Sequence, residues 1–292
     1  KLLKDIEVED TIGVSANSTY VSATISEFDG ANFKVMRKDE FTGAIFSLGQ
    51  YTCTIKNVTL DGQNIANSEP LIVAPAVGNS KGTTLLLQDV TLCNNKNSAI
   101  KAGFKITGTN VTIDNCSAKY GGAIYFESGA ISAASIDFKN SVFSNNSADT
   151  GSVAYIKADE DYVCGTLFTA CEFSNNTYAG DESNTDSLTK STLIYAHTGK
   201  ISWFNYVNFA GATKFSGNSV NSDVMLDGQL GNMTISGDTV VQAGLIVSDE
   251  TFSTDTPIKV SVGSYARGEY LDGGLVVYLC NADSSDFKLV DA

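Results

Sequence analysis

Arginine is nearly absent from this chain of 292 residues: Arg37 and Arg267 are the only two. There is one histidine, one tryptophan and three prolines. Only 18% of the residues are charged, and acids outnumber bases 33 to 19. Each shortage excludes something. Bidentate gripping of phosphates or anionic sugars takes guanidinium groups. A net charge of −14 repels phosphate backbones and anionic bilayers, so nucleic acid is not an expected partner. A Ser–His–Asp hydrolase needs a nucleophile elbow to match its histidine, and none accompanies His197. No run of about eighteen apolar residues occurs, so no membrane-spanning helix is expected. The six cysteines form no CxxC pair, which argues against zinc.

What remains is a polar, mostly neutral chain rich in Asn, Ser, Thr, Gly and Ala, 42% hydrophobic and able to bury a core. Asparagine, aspartate and glycine must make the corners that proline does not. Such a surface suits a secreted or wall-attached protein. With no leader before KLLKDIEVED and no sorting signal after the last strand, the sequence reads as a piece or mature portion of something longer. The even cysteine count permits three disulfides of undetermined connectivity. The favoured reading is that several cysteines are small buried hydrophobes, since a chain of this size does not need staples.

The dominant signal is repetition. A phrase of strand former, polar residue, apolar anchor, two small or polar residues and Asn recurs as VTLCNN (Val90), VFSNN (Val142), EFSNN (Glu172) and KFSGN (Lys214), with looser copies at Val58, Val111 and Met233. Its anchors are Leu60, Leu92, Ile113, Phe143, Phe173, Phe215 and Ile235, at gaps of 32, 21, 30, 30, 42 and 20 residues. Between anchors comes a second phrase, small residues and then a short apolar run: GAIFSL (Gly43), EPLIVA (Glu69), GGAIYF (Gly121), GSVAYI (Gly151), KSTLIYA (Lys190) and AGLIV (Ala243). Helical periodicity is absent, and Val, Ile, Thr, Phe and Tyr dominate the runs.

Units of two or three short strands at this spacing predict an all-β chain. It should wind as a right-handed parallel β-helix solenoid of about 9–11 coils, with equivalent strands stacked in parallel about 4.8 Å apart. Residues 1–245 form the helix in this reading, and 246–292 form final coils or a β-rich C-terminal cap over its open end. A tight corner suits Asn, which tolerates left-handed backbone. Stacking puts Asn95, Asn146, Asn176 and Asn218 in register as an internal structural ladder. Gly43, Gly121, Gly151 and Ala243 are read as one shared corner, where stacked backbones approach closely.

The GGAI and FSNN phrases resemble the GGA[ILV] and FxxN repeats of polymorphic autotransporter passengers. LLKDIEVEDTIGV, FTGAIFSL, TCTIKNVTLDGQN, TLLLQDVTLCNNKNS and NMTISGDTVV resemble the pectate-lyase-like β-helix modules of large wall-anchored bacterial surface proteins. That resemblance covers about residues 1–245. It implies a cell-surface or cell-wall location within a larger protein. It implies a non-enzymatic adhesin or stalk whose partner is a host glycan or extracellular matrix protein.

β-Helices also carry polysaccharide lyases and glycosidases, so a carbohydrate-active enzyme or a carbohydrate-binding module is the alternative. A glycosidase needs carboxylates close together on successive coils. Asp114 and Asp137 are isolated in their coils and read as outward, solvated positions. His197, Trp203 and Tyr206 are the candidate sugar platform in YAHTGKISWFNY. The acidic stretch AGDESNTDS interrupts the cadence and accounts for the gap of 42 residues. Its Asp181, Glu182 and Asp186 are the candidate ligands for calcium or a glycan, although the EF-hand spacing is not met. No other cofactor is expected. Seven Asn-x-Ser/Thr sequons fall largely within the turn phrase and read as by-products of Asn- and Thr-rich corners.

Overall fold

The computed structural model of the chain describes residues 2–14, 27–49, 52–77, 81–128, 134–158, 164–181, 190–198, 206–220, 222–228, 232–235, 245–248, 259–262 and 277–280. Its backbone alternates between two long sheets. The first runs Ile6–Val8, Glu27–Arg37, Thr52–Asp61, Thr84–Asn95, Lys105–Tyr120, Ala134–Lys139, Cys164–Thr169, Tyr206–Ala210, Asn232–Ile235 and Lys259–Val262. The second runs Ile12–Val14, Phe46–Leu48, Ile72–Ala74, Ile100–Ala102, Ile124–Ser128, Ala154–Ala158, Thr192–Thr198, Ser222–Gly228, Leu245–Ser248 and Val277–Cys280. Every neighbouring pair on these two paths is parallel. Each sheet takes one strand from each turn of the chain, which makes a parallel β-helix solenoid, with ten coils among the described residues. The last strands, Lys259–Val262 and Val277–Cys280, pair in register with Asn232–Ile235 and Leu245–Ser248.

The anchors stack directly. Val35, Leu60, Leu92, Ile113, Phe143, Phe173 and Phe215 are successive register partners up the first sheet. All are buried. Beside them Phe138, Phe168 and Phe209 form a second column. Within columns the rings lie nearly parallel, at 5.0 Å for Phe143–Phe173 and 4.7 Å for Phe173–Phe215; across columns they meet edge to face, as Phe143–Phe168 does at 5.6 Å. Such pairs add about 0.5–1.5 kcal/mol each beyond the burial itself. Gly108 leaves room where this second column begins, since a Cβ there would lie 2.3 Å from the Phe138 ring.

Ile235 is not the seventh anchor. Its strand pairs with Tyr206–Ala210, so Ile235 continues the column of Phe168 and Phe209. MTISGD and VTLDGQ look alike because strands on either side of a corner share one alternation, and the sequence does not say which side a copy occupies.

The corners are built from left-handed residues. One column of positive φ contains Asn57, Asp89, Asn110, Asn140, Ala170 and Gly211; a second contains Asn94, Asn115, Asn145, Asn175 and Gly217. In FSNN the first Asn therefore takes the left-handed turn, and the second points inward. Gly121 and Gly151 mark a third corner, at φ 58° and 62°. A Cβ on Gly121 would sit 2.0 Å from the Ile124 carbonyl oxygen, so only glycine fits. Gly43 does not share that left-handed geometry, and Ala243 lies outside the described residues.

Candidate functional site

The second Asn of each phrase is fully engaged. The Asn146 N–H donates to Asn176 Oδ1 at 2.9 Å, and the Asn176 N–H donates to Asn218 Oδ1 at 2.9 Å. The amide groups of Asn146, Asn176 and Asn218 donate back to the carbonyls of Ile113, Phe143 and Phe173, each at 2.9 Å. Cys116 occupies the rung before Asn146. Its N–H donates to Asn146 Oδ1 at 3.1 Å, and its sulfur accepts the Asn95 N–H. Every Oδ1 thus faces the preceding coil. At the N-terminal end Asn95 Oδ1 accepts from the Arg37 guanidinium and from Ser68 Oγ at 3.1 Å. Arg37 is 2% exposed and also donates to the carbonyls of Gly43 and Glu69. A cation closes the negative end of an aligned dipole column, much as it does at a helix C-terminus. Burial pulls the Arg37 pKa down to about 10.

A second, shorter internal ladder runs alongside. The Val111 N–H donates to Ser141 Oγ, the Ser141 N–H to Cys171 Sγ, and the Cys171 N–H to Thr213 Oγ1. Two cysteines are therefore rungs: small, buried, and acceptors of a backbone donor. Cys53, Cys93, Cys116, Cys164 and Cys171 are free thiols. Burial pushes Cys116 and Cys164 up to about 12, and Cys53 and Cys171 up to about 11.

Carboxylates hold the corners. Asp29, Asp61, Asp89 and Asp114 accept from the side-chain amides of Asn57, Asn94, Asn110 and Asn145, at 3.2, 3.1, 2.9 and 2.7 Å. Each bond links one coil to the next. Among the described residues no group of three or more His, Cys, Asp or Glu side chains is placed to hold a metal ion.

Of the residues singled out for binding, the described ones lie on different elements. His197 stands half-buried in the second sheet, in register with Lys157 and Asp227. Tyr206 opens a strand of the first sheet, between Gly165 and Asn232. Trp203 lies outside the described residues. Asp181 is exposed, and Glu182 and Asp186 lie outside the described residues.

A different group does come together, on the outer face of the second sheet. Tyr125, Tyr155 and Tyr195 are register partners, two residues before the row of Glu127, Lys157 and His197. Their rings stack at 5.6 and 5.3 Å. Tyr120 leans on Tyr155 at 4.9 Å. The Tyr125 hydroxyl donates to Glu127 Oε2 at 2.8 Å, and Lys157 pairs with the other oxygen at 3.1 Å. The Tyr125 bond, backed by Lys157, holds the Glu127 carboxyl below its ordinary range even though burial opposes it; burial first, and then Glu127, raises the Tyr125 phenol.

The stack ends at a cleft of about 350 Å³, lined by Glu69, Pro70, Asn97, Ser98, Lys101, Ala118, Lys119, Tyr120 and Tyr125. Its origin is a change in coil girth. Asn95 pairs with Cys116 and Ile100 with Ile124, yet five residue steps lead from Asn95 to Ile100 and eight from Cys116 to Ile124. The extra residues of the later coil form a third strand row, Ser117–Tyr120, which pairs onward with Ser147–Thr150. The Asn95–Ile100 coil has no such row, and the preceding coil bulges at Glu69 and Pro70. A short coil between two wider ones leaves a slot. Lys101 Nζ lies 5.4 Å from the Tyr125 ring centre and Lys119 Nζ 5.1 Å from that of Tyr120, both cation–π distances.

The sequence gaps carried a trace of this slot, because the anchor spacing jumps from 21 to 30 at Ile113. No family model matches the chain, and neither a curated protein nor a solved structure matches it.

Proposed function

We propose that the chain is a non-enzymatic β-helical segment of a larger extracellular surface protein, an adhesin or stalk. In this reading it presents the tyrosine-edged cleft to a host glycan or matrix protein. The observation that carries the proposal is the cleft itself: aromatic rings, two lysine amines and main-chain groups gathered on an otherwise regular polar rod. Its volume falls within the range of small-ligand sites. The non-enzymatic part is supported by Asp61 and Asp114, which stand in one register column with Cys93 between them and are each hydrogen-bonded to a corner asparagine. The surface location rests on the resemblance of the repeat phrases to β-helical modules of bacterial adhesins and on the low-charge, Asn-rich surface.

Arrays of glycans and matrix proteins probed with the labelled chain test this reading. Retention of at least one ligand class is expected, weakened by Tyr120→Ala with Tyr125→Ala. A parallel assay for new reducing or unsaturated ends on a polysaccharide panel is expected to give none. Turnover at catalytic rates would replace the adhesin with a carbohydrate-active enzyme.

A further inference from the structure

The slot has the shape of a missing strand. Ser117–Tyr120 pairs with Ser147–Thr150 on one side, and among the described residues no strand pairs with its other side. In a parallel ladder a residue turns its N–H and C=O to the same side, and its neighbours turn to the other. Thr177 and Ala179 donate their N–H groups back to Asn146 and Ala148 of the preceding coil. Register carries this phase from Thr177 through Ser147 to Ser117, and alternation along the strand extends it to Lys119. The main-chain groups of Ser117 and Lys119 therefore face the preceding coil, over the cleft. The coil bearing Glu69 and Pro70 lies two rises away, roughly 10 Å, and Asn97 and Ser98 line the interval, Asn97 Nδ2 donating to the Ser68 carbonyl at 2.8 Å and Ser98 Oγ to the Tyr120 carbonyl at 3.0 Å; beside them an added strand would meet the Ser117 and Lys119 main chain. The cleft offers two amines, Lys101 and Lys119, against one carboxylate, Glu69, on a chain whose net charge is −14.

We infer that the slot takes an extended segment of a partner protein by strand addition. The segment pairs with the Ser117 and Lys119 main chain and sets an acidic side chain against Lys101 and Lys119. Main-chain hydrogen bonds supply affinity and the side-chain pocket supplies selectivity, as in other edge-strand recognition. An unpaired edge on a parallel solenoid invites such pairing, and the flanking lysines keep it from pairing with copies of itself. This inference rests on the cleft being the binding face.

The test uses a random dodecapeptide display library panned on the whole chain, followed by affinities measured by fluorescence polarisation. Enriched peptides are expected to be extended, β-branched and acidic at one position. Lys119→Pro removes the donor aimed into the slot while leaving the onward ladder intact, a substitution that an edge strand tolerates. It should weaken these peptides about tenfold, the effect of losing about one to two hydrogen bonds. Lys119→Ala, which keeps the N–H, should weaken them less. Thermal unfolding of both variants checks that the fold is retained. N-methylation of alternate peptide residues gives a reading independent of any substitution in the chain: one phase should abolish binding and the other should spare it. Equal binding to wild type and Lys119→Pro, or no enriched peptide, overturns the inference. If an array glycan is instead lost with Tyr125→Ala and indifferent to Lys119→Pro, the slot is a sugar site. The strand inference then fails while the adhesin reading stands.

Discussion

Asn176 shows what one side chain does in this protein. It accepts the Asn146 N–H, donates to Phe143 and Asn218, and is fully buried. Asn176→Ala leaves a buried donor and a buried carbonyl unpaired, at a cost of about 2–4 kcal/mol. Urea unfolding should show that loss. Its neighbour Asn175 is exposed and left-handed, and Gly217 fills the same corner one coil on. Asn175→Gly should therefore change stability by less than about 0.5 kcal/mol. Cys171 should follow the same logic. Cys171→Ser keeps an acceptor for the Ser141 N–H; Cys171→Val removes it and should cost about 1–3 kcal/mol more. The buried thiols also set a pH dependence. Their folded pKa values are raised, so their contribution is complete below the unfolded thiol pKa and is lost as pH rises toward the folded values. The unfolding free energy should fall between pH 8 and about 10, by about 1.4 kcal/mol per pH unit for each thiol once the unfolded group ionises. Replacing Cys116 and Cys171 together with serine should flatten that slope. Above pH 10 the depressed Arg37 pKa acts in the opposite direction.

At the scale of strands and coils, the columns explain why the repeat was readable and where it misled. Leu60 through Phe215 were recognisable because an inward apolar residue must recur once per coil, and parallel stacking admits no slip of one residue without turning it outward. Ile235 was not, because its phrase fits the strand on either side of a corner. The twin asparagines of FSNN were half legible: both are Asn, and only the backbone shows that one turns and the other ladders. The tyrosine cleft was not legible as a site. Its residues come from three coils and meet only because one coil is short. The aromatic columns make a stability prediction: Phe173→Ala, which touches Phe143, Phe168, Phe209 and Phe215, should cost about 3–5 kcal/mol in denaturant unfolding.

The whole molecule is a rod whose interior polar groups bond along its axis and whose corner acids tie one coil to the next. Such a body resists local opening, because the rungs from Asn95 to Asn176 are each held from both sides. Function is then left to the places where regularity breaks. The described break is the slot between the Glu69–Pro70 bulge and the Ser117–Tyr120 row, and the central claim is that ligand binds there. Amide hydrogen exchange, with and without the array ligand retained most strongly, tests it directly. Protection is expected to concentrate at Asn97–Lys101 and Ser117–Tyr125, with the core columns unchanged. Protection elsewhere, with the exchange of Ser117–Tyr125 unaltered, would contradict the account.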